Sequence, residues 1–311
     1  MGRLRRIASL AIALLLLAAL PVQAQTKITV SYGPGYPWIP AFVAKDQGIF
    51  AQHGLDVALQ FIAVGSNQPA ALIAGTSQVA GLSPPIVLFA DEGGADIAIV
   101  AGANGQSKNG TTGGVLARPE AKIAVPGDFR GKKIAVPGLQ SAYHIAFMKW
   151  LQDHGVAPAE ATYVEVPINQ MNDSLRSGAV DAAVAAAPFY DQILAAKTGV
   201  KVGDFLGDLA DPFTIYSAWA MSRGYMAAHP EVAPAFRTSI REALTWIGSH
   251  EDAARRTQIT YLKLPEQIAL KTKLVDFTAD VTPAQMQWWI DTCHELGVIK
   301  DHIALKNVLA D

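Results

Sequence analysis

The chain has 311 residues, 50% of them apolar and 17% charged, with a formal net charge of −2 at pH 7. That is ample apolar side chain for a large core and more residues than one core usually holds, so two lobes are expected. The absence of a basic stripe interleaved with aromatics excludes a nucleic-acid surface, and the single cysteine, Cys293, excludes an intramolecular disulfide.

Arg3, Arg5 and Arg6 form a positive start, Ile7 to Leu20 an uncharged aliphatic run, and Val22-Gln23-Ala24 after Pro21 a small-residue cleavage site. This order predicts a secretory signal peptide over residues 1–24, cleaved near Ala24. Its apolar run of about 14 residues is short of the roughly 20 that span a bilayer. No cysteine stands near the cleavage site to carry a lipid, so the expected destination is a Gram-negative periplasm. The leader takes three of the 25 basic residues and none of the 27 acidic ones, leaving a mature net charge of about −5.

Ile28 to Tyr32 is a β-branched run that predicts a strand, followed by the irregular turn Gly33-Pro34-Gly35-Tyr36-Pro37-Trp38. Ile39 to His53 is patterned as a helix with Gly54 at its C-cap. Asp56 to Val64 predicts a strand, Gln68 to Ala74 a helix, and Val79 to Leu82 and Asp96 to Ala101 two buried strands around a helix starting near Pro84-Pro85. A second unit opens near Lys122. Its strands are Lys132 to Pro137, Thr162 to Val166 and Asp181 to Ala185, and its helices Ser141 to His154 and Met171 to Ser177. Strands alternating with helices predict parallel α/β sheets. From Ala220 the pattern turns helical: Pro230 to His250, Glu251 to Leu262, Pro265 to Asp276 and Pro283 to Leu296. Cys293 falls on the last of these, as a buried apolar residue.

Several segments together resemble a family. Ala41 to Phe50 followed by His53-Gly54-Leu55-Asp56-Val57, the Phe129 to Val136 run, Ser141 with His144, Ser177 to Ala182, and Trp288 to Ile299 are similar, in order, to the periplasmic substrate-binding proteins of ABC importers for sulfonates, taurine, nitrate and thiamine precursors. The resemblance implies an α/β, two-lobed type II (Venus-flytrap) periplasmic binding fold with the ligand between lobes that close by a hinge. It implies two crossover segments, near Leu116 to Glu120 and near Asp211 to Ser217, with the helical C-terminal region packed on lobe 1. The expected division is residues 25–117 for lobe 1, 118–216 for lobe 2 and 217–311 for the returning part of lobe 1.

In open α/β sheets ligands sit beyond the carboxyl ends of the strands, which names the candidate loops. Tyr36 and Trp38 offer an apolar wall on a backbone that glycine and proline let approach a ligand. Ser66 or Asn67 is expected to cap the helix at Gln68, and Ser83 stands at a strand end before two prolines. Gly102 to Lys108 lacks the ending of a phosphate loop; Asn104 and Gln106 are neutral contact candidates there, and Lys108 reads as a solvated loop lysine. The turn Gly138 to His144 presents N–H groups and a helix dipole suited to an anionic oxygen. Ser141 falls on the position that the resemblance assigns to ligand contact, Gln140 stands where the family has glycine, and His144 shares a helical face with Phe147, Met148 and Leu151, favouring a packing role. Phe189 on lobe 2, and Tyr216 and Trp219 beside the second crossover, complete the set. None of these loops contains an arginine to clamp a sulfonate or carboxylate.

The function so implied is capture of a small organic molecule for delivery to an ABC permease and its ATPase, by a monomer without cofactor or metal. The competing readings are an enzyme of the same fold acting on a small aromatic or pyrimidine substrate, and a periplasmic ligand sensor. The seven histidines show no metal-ligand spacing, and no nucleophile–base arrangement stands out.

Overall fold

The computed structural model describes residues 24–63, 67–108, 113–209, 212–274 and 276–310. The expected signal peptide, but for Ala24, lies outside them, as does Ser66. Among the described residues ten strands form two five-stranded sheets. The first contains β1 (Thr26–Tyr32), β2 (Leu55–Phe61), β3 (Val79–Leu82), β4 (Ile97–Ser107) and β10 (Phe213–Ser222), in the order β2-β1-β3-β10-β4. The second contains β5 (Gly113–Ala117), β6 (Lys133–Val136), β7 (Thr162–Glu165), β8 (Ala182–Ala186) and β9 (Val200–Gly203), in the order β7-β6-β8-β5-β9. Each sheet has three parallel strands and then an antiparallel strand that enters from the other side of a crossover: β10 beside β3 and β4, β5 beside β8 and β9.

Four features differ from the sequence expectation. The first passage between sheets falls between Lys108 and Gly113, upstream of Leu116 to Glu120, because Gly113 to Ala117 pairs fully with β8. Gly102 to Ser107 is no loop but the second half of β4. A Cβ on Gly102 would lie 2.8 Å from the Asp280 carbonyl oxygen, and one on Gly105 2.4 Å from that of Thr214, so these glycines admit neighbouring backbone and not a phosphate. Phe213 to Ser222, which takes in the expected second crossover from Phe213 onward and the start of the helical region, is a continuous strand. The helix expected over Pro265 to Asp276 is confined to Glu266–Ala269. Beyond it the chain lies along β4: Gly105 N–H donates to Asp276 O at 2.9 Å, Thr278 N–H to Ala103 O at 3.1 Å, and Gly102 N–H to Ala279 O at 2.9 Å. Those bonds cover the sheet edge that a helix would leave open.

The helices follow their patterns closely. Ile39 to His53 divides into α1 (Ile39–Asp46) and a single turn, Ile49–Gln52, because Gly48 takes a left-handed φ of 68°. The Pro84–Glu92 helix (α2) follows β3, and the Ala142–Asp153 helix (α3) follows β6. In the C-terminal region, α4 (Val232–Ile247) and α5 (Glu251–Tyr261) pack on α1 and on the turn after it, where Phe42 of α1 stacks on Tyr261 at 4.6 Å and Phe50 of the turn on Phe236 at 5.5 Å. The last long helix, α6 (Pro283–Glu295), begins with a reciprocal Thr282–Gln285 cap. Its Trp289 indole N–H donates to Ile215 O on β10 at 2.7 Å. Cys293 is buried there, and burial pushes its thiol up to about 12.

Phe236 is fully buried between Phe50 and Trp219. Phe236→Ala is therefore expected to cost about 3–5 kcal/mol in urea unfolding. Phe61→Ala, at a side chain 49% exposed, is expected to change stability by less than about 1 kcal/mol.

Candidate functional site

A cavity of about 110 Å³ lies where the carboxyl ends of β1, β3, β6 and β8 face one another, with β10 crossing beside it. From the first sheet it is lined by Gly33 to Trp38, Gln68, Gly81 to Ser83 and, on β10, Tyr216 and Ser217. From the second come Pro137, Ser141, Ala142, Tyr143, Ile168, Ala186 and Ala187. A larger hollow of about 450 Å³, bordered by Arg237, Asp280 and Lys306, is built from the first sheet's outer edge and the C-terminal segments alone. Closure of two lobes would shape the smaller cavity and not the larger one, which makes the smaller one the candidate site.

Trp38 reaches the cavity because β3 carries glycine beneath it: a Cβ on Gly81 would lie 2.5 Å from the indole ring. Its ring meets Trp219 edge-on at 4.8 Å. Tyr36 is fixed by Asn104, whose amide donates to the phenolic oxygen at 2.9 Å. Ser83 stands at the N-cap of α2, and its Oγ accepts the Ala142 N–H from the opposite lobe at 3.2 Å. Tyr143 stacks on Tyr216 across the same gap, with ring centroids 5.7 Å apart. Two lobes are thus joined over the cavity by one hydrogen bond and one ring pair.

Of the residues expected at the site, Tyr36, Trp38, Ser83, Ser141 and Tyr216 line the cavity. Asn104 and Trp219 are buried behind it, supporting Tyr36 and Trp38. Phe189 packs into the core of the second lobe. Asn67 is exposed and its side chain makes no cap bond; its neighbour Gln68 faces the cavity instead, accepting a bond from Ser31 Oγ at 3.2 Å. Tyr143 and Ser217 were also missed. Side chains in a helix's first turn lean back toward its N-terminus, so position two of α3 was the signal for Tyr143.

Most N–H groups of the Gly138 to His144 turn are taken up by the protein itself. Leu139 N–H donates to Glu165 at 3.1 Å, Gln140 N–H to His144 Nδ1 at 3.0 Å, Ser141 N–H to Gly138 O at 3.1 Å and His144 N–H to Ser141 Oγ at 3.4 Å. Gln140 holds a φ of 65°, the left-handed conformation that glycine adopts most easily. His144 lies behind the turn with its ring 4.5 Å from Tyr163. Burial pushes its imidazole down from 6.5 to about 4, and with Nδ1 accepting a bond the neutral ring carries its proton on Nε2.

A model of the NMT1-like family matches residues 22–262. The chain belongs to the NMT1-like family. Comparison with curated protein sequences finds no match. Among solved structures, this NMT1-like chain is similar to the alkanesulfonate-binding protein SsuA from Xanthomonas axonopodis pv. citri bound to MOPS, at 17% identity and a TM-score of 0.77, covering 92% of this chain and 99% of that one. It is similar to the periplasmic nitrate-binding protein NrtA from Synechocystis PCC 6803, at 15% identity and a TM-score of 0.73, covering 88% and 82%. It is also similar to the desulfurization enzyme DSZB, at 14% identity and a TM-score of 0.65, covering 92% and 96%. At these identities the likeness establishes the fold, which is the two-lobed fold expected from the sequence.

His144 gives this NMT1-like chain a testable pH dependence. Its folded pKa is depressed, so between about 4 and 6.5 the unfolded chain holds a proton that the folded chain does not. Stability from this group is complete above about pH 6.5 and is lost as pH falls toward 4. Thermal unfolding across that range should show wild type losing up to roughly 3 kcal/mol more than His144→Asn. Parallel curves for the two proteins would show that His144 does not titrate in this way.

Proposed function

We propose that this chain is the periplasmic solute-binding component of an ABC importer, a monomer that captures a small organic molecule between its lobes and hands it to a permease and its ATPase. The observation that carries this reading is a cavity lined from both lobes and bridged by the Ser83–Ala142 hydrogen bond. A solute contacting both sides would favour the closed arrangement over the open one by its differential contacts alone. The solute-binding names of SsuA and NrtA support the same role. So does the leader-like sequence of residues 1–24, and among the described residues no helix is long and apolar enough to cross a membrane. Trp38, Ser83, Ser141, Tyr143 and Tyr216 are the proposed ligand contacts.

The enzyme reading has one specific support, the DSZB likeness. Against it, among the described residues lining the cavity no histidine, lysine or carboxylate stands beside Ser83, Ser141 and Ser217 to take a proton, which favours binding over attack.

Expression in a Gram-negative host tests the proposal. The protein released by osmotic shock should begin at Gln25, retain one small molecule per chain in native mass spectrometry, and return it chemically unchanged. An uncleaved chain held in the cytoplasm, or steady conversion of the bound compound, would contradict it.

A further inference from the structure

Building on the solute-binding reading, we propose that the cleft selects an electrically neutral solute rich in hydrogen-bond acceptors, and that Trp38 and Tyr216 are the donors that read it. Three independent observations converge on this. Among the described residues lining the cavity none is charged: the polar side chains are serines, tyrosines, Gln68 and the Trp38 indole. An oxoanion buried there would meet no cation and would carry its full desolvation cost.

The usual substitute for a cation is a helix N-terminus with free N–H groups. Here the N-terminus of α3 is occupied by the protein itself. The N–H groups of Leu139, Gln140, Ser141, Ala142 and His144 donate to Glu165, His144 Nδ1, Gly138 O, Ser83 Oγ and Ser141 Oγ respectively. One of these acceptors is a carboxylate, which lowers the local potential further. Of the N–H groups of residues 139–144 only that of Tyr143 is without such a bond, so the turn that reads in the sequence as an anion hole keeps one backbone donor where an oxoanion would need several.

Two donors on residues of the cavity wall are left over. Trp38 Nε1 and Tyr216 Oη are both buried without a hydrogen-bond partner. Each such group carries an unrecovered desolvation penalty, which a ligand acceptor between the lobes would relieve. Burial, with smaller additions from the Tyr143 and Asp204 side chains, raises the Tyr216 hydroxyl pKa well above 10.0, so the group stays protonated and able to donate. Flat aromatic walls from Tyr36, Trp38, Tyr143 and Tyr216 suit a small ring with carbonyl, amide or ring-nitrogen acceptors.

Isothermal titration calorimetry at neutral pH with pairs matched in shape provides the test: benzamide against benzoate, nicotinamide against nicotinate, and methanesulfonamide against methanesulfonate. The neutral member should bind at least about tenfold more tightly in the pairs that bind. Tyr216→Phe should raise its Kd about three- to tenfold, and should leave unfolding of the ligand-free protein unchanged or shifted upward, since an unpartnered hydroxyl is removed. A purely structural Tyr216 would lower the unfolding temperature instead. Tighter binding of the anions overturns the inference while leaving the solute-binding role intact. Silence from every pair also overturns it, and the binding role is then judged by the export and native mass spectrometry described above.

Discussion

The antiparallel pairing of β4 with β10 governs the rest of the molecule. It runs from Phe213 opposite Ser107 to Ser222 opposite Ile97, so the strand that leaves the first lobe and the strand that returns to it lie side by side. Both passages between lobes are thereby held at one edge, and the lobes have one axis about which to move. The pairing needs backbone to approach backbone closely. Gly102 and Gly105 permit that, and the Asp276 to Ala279 segment seals the outer edge. It also carries Tyr216 and Ser217 to the cavity, and Trp219 to the floor beneath Trp38.

Much of this was legible in the residues. β-branched runs marked β1, β3 and β6, glycines marked helix ends, and the order of motifs indicated a two-lobed binding fold. What stayed hidden depended on contacts distant in sequence. Gly102 to Lys108 has the composition of a loop, and only the backbone of Thr214, Thr278 and Asp280 pressing on it explains glycine within a strand. Asp211 to Ser217 was expected as a crossover and the chain from Ala220 as helical, whereas Phe213 to Ser222 is one strand whose partner β4 lies more than a hundred positions upstream. At the site, residue type pointed to the right loops but not to the right side of each. Asn67 was chosen over Gln68 because asparagine is the better cap, and the chain uses neither as one through its side chain. His144 and Gln140 stand on the expected turn yet face each other.

The turn before α3 shows how a family's architecture can be kept while its chemistry changes. Glutamine at a left-handed φ gives its N–H to His144, and Ser83 reaches across from the other lobe to take the N–H of Ala142. Both bonds strengthen the frame and use donors that an oxoanion would need. In the proposed reading, recognition falls to aromatic faces and to the Trp38 and Tyr216 donors. A fold shared with sulfonate- and nitrate-binding proteins thus need not share their ligand.

A crystal structure of the protein with its solute distinguishes function in the cleft between the lobes from function elsewhere on the surface. Electron density is expected in contact with both lobes, flanked by Trp38, Tyr143 and Tyr216. Density confined to the hollow bordered by Arg237 and Lys306, or touching one lobe only, would contradict it.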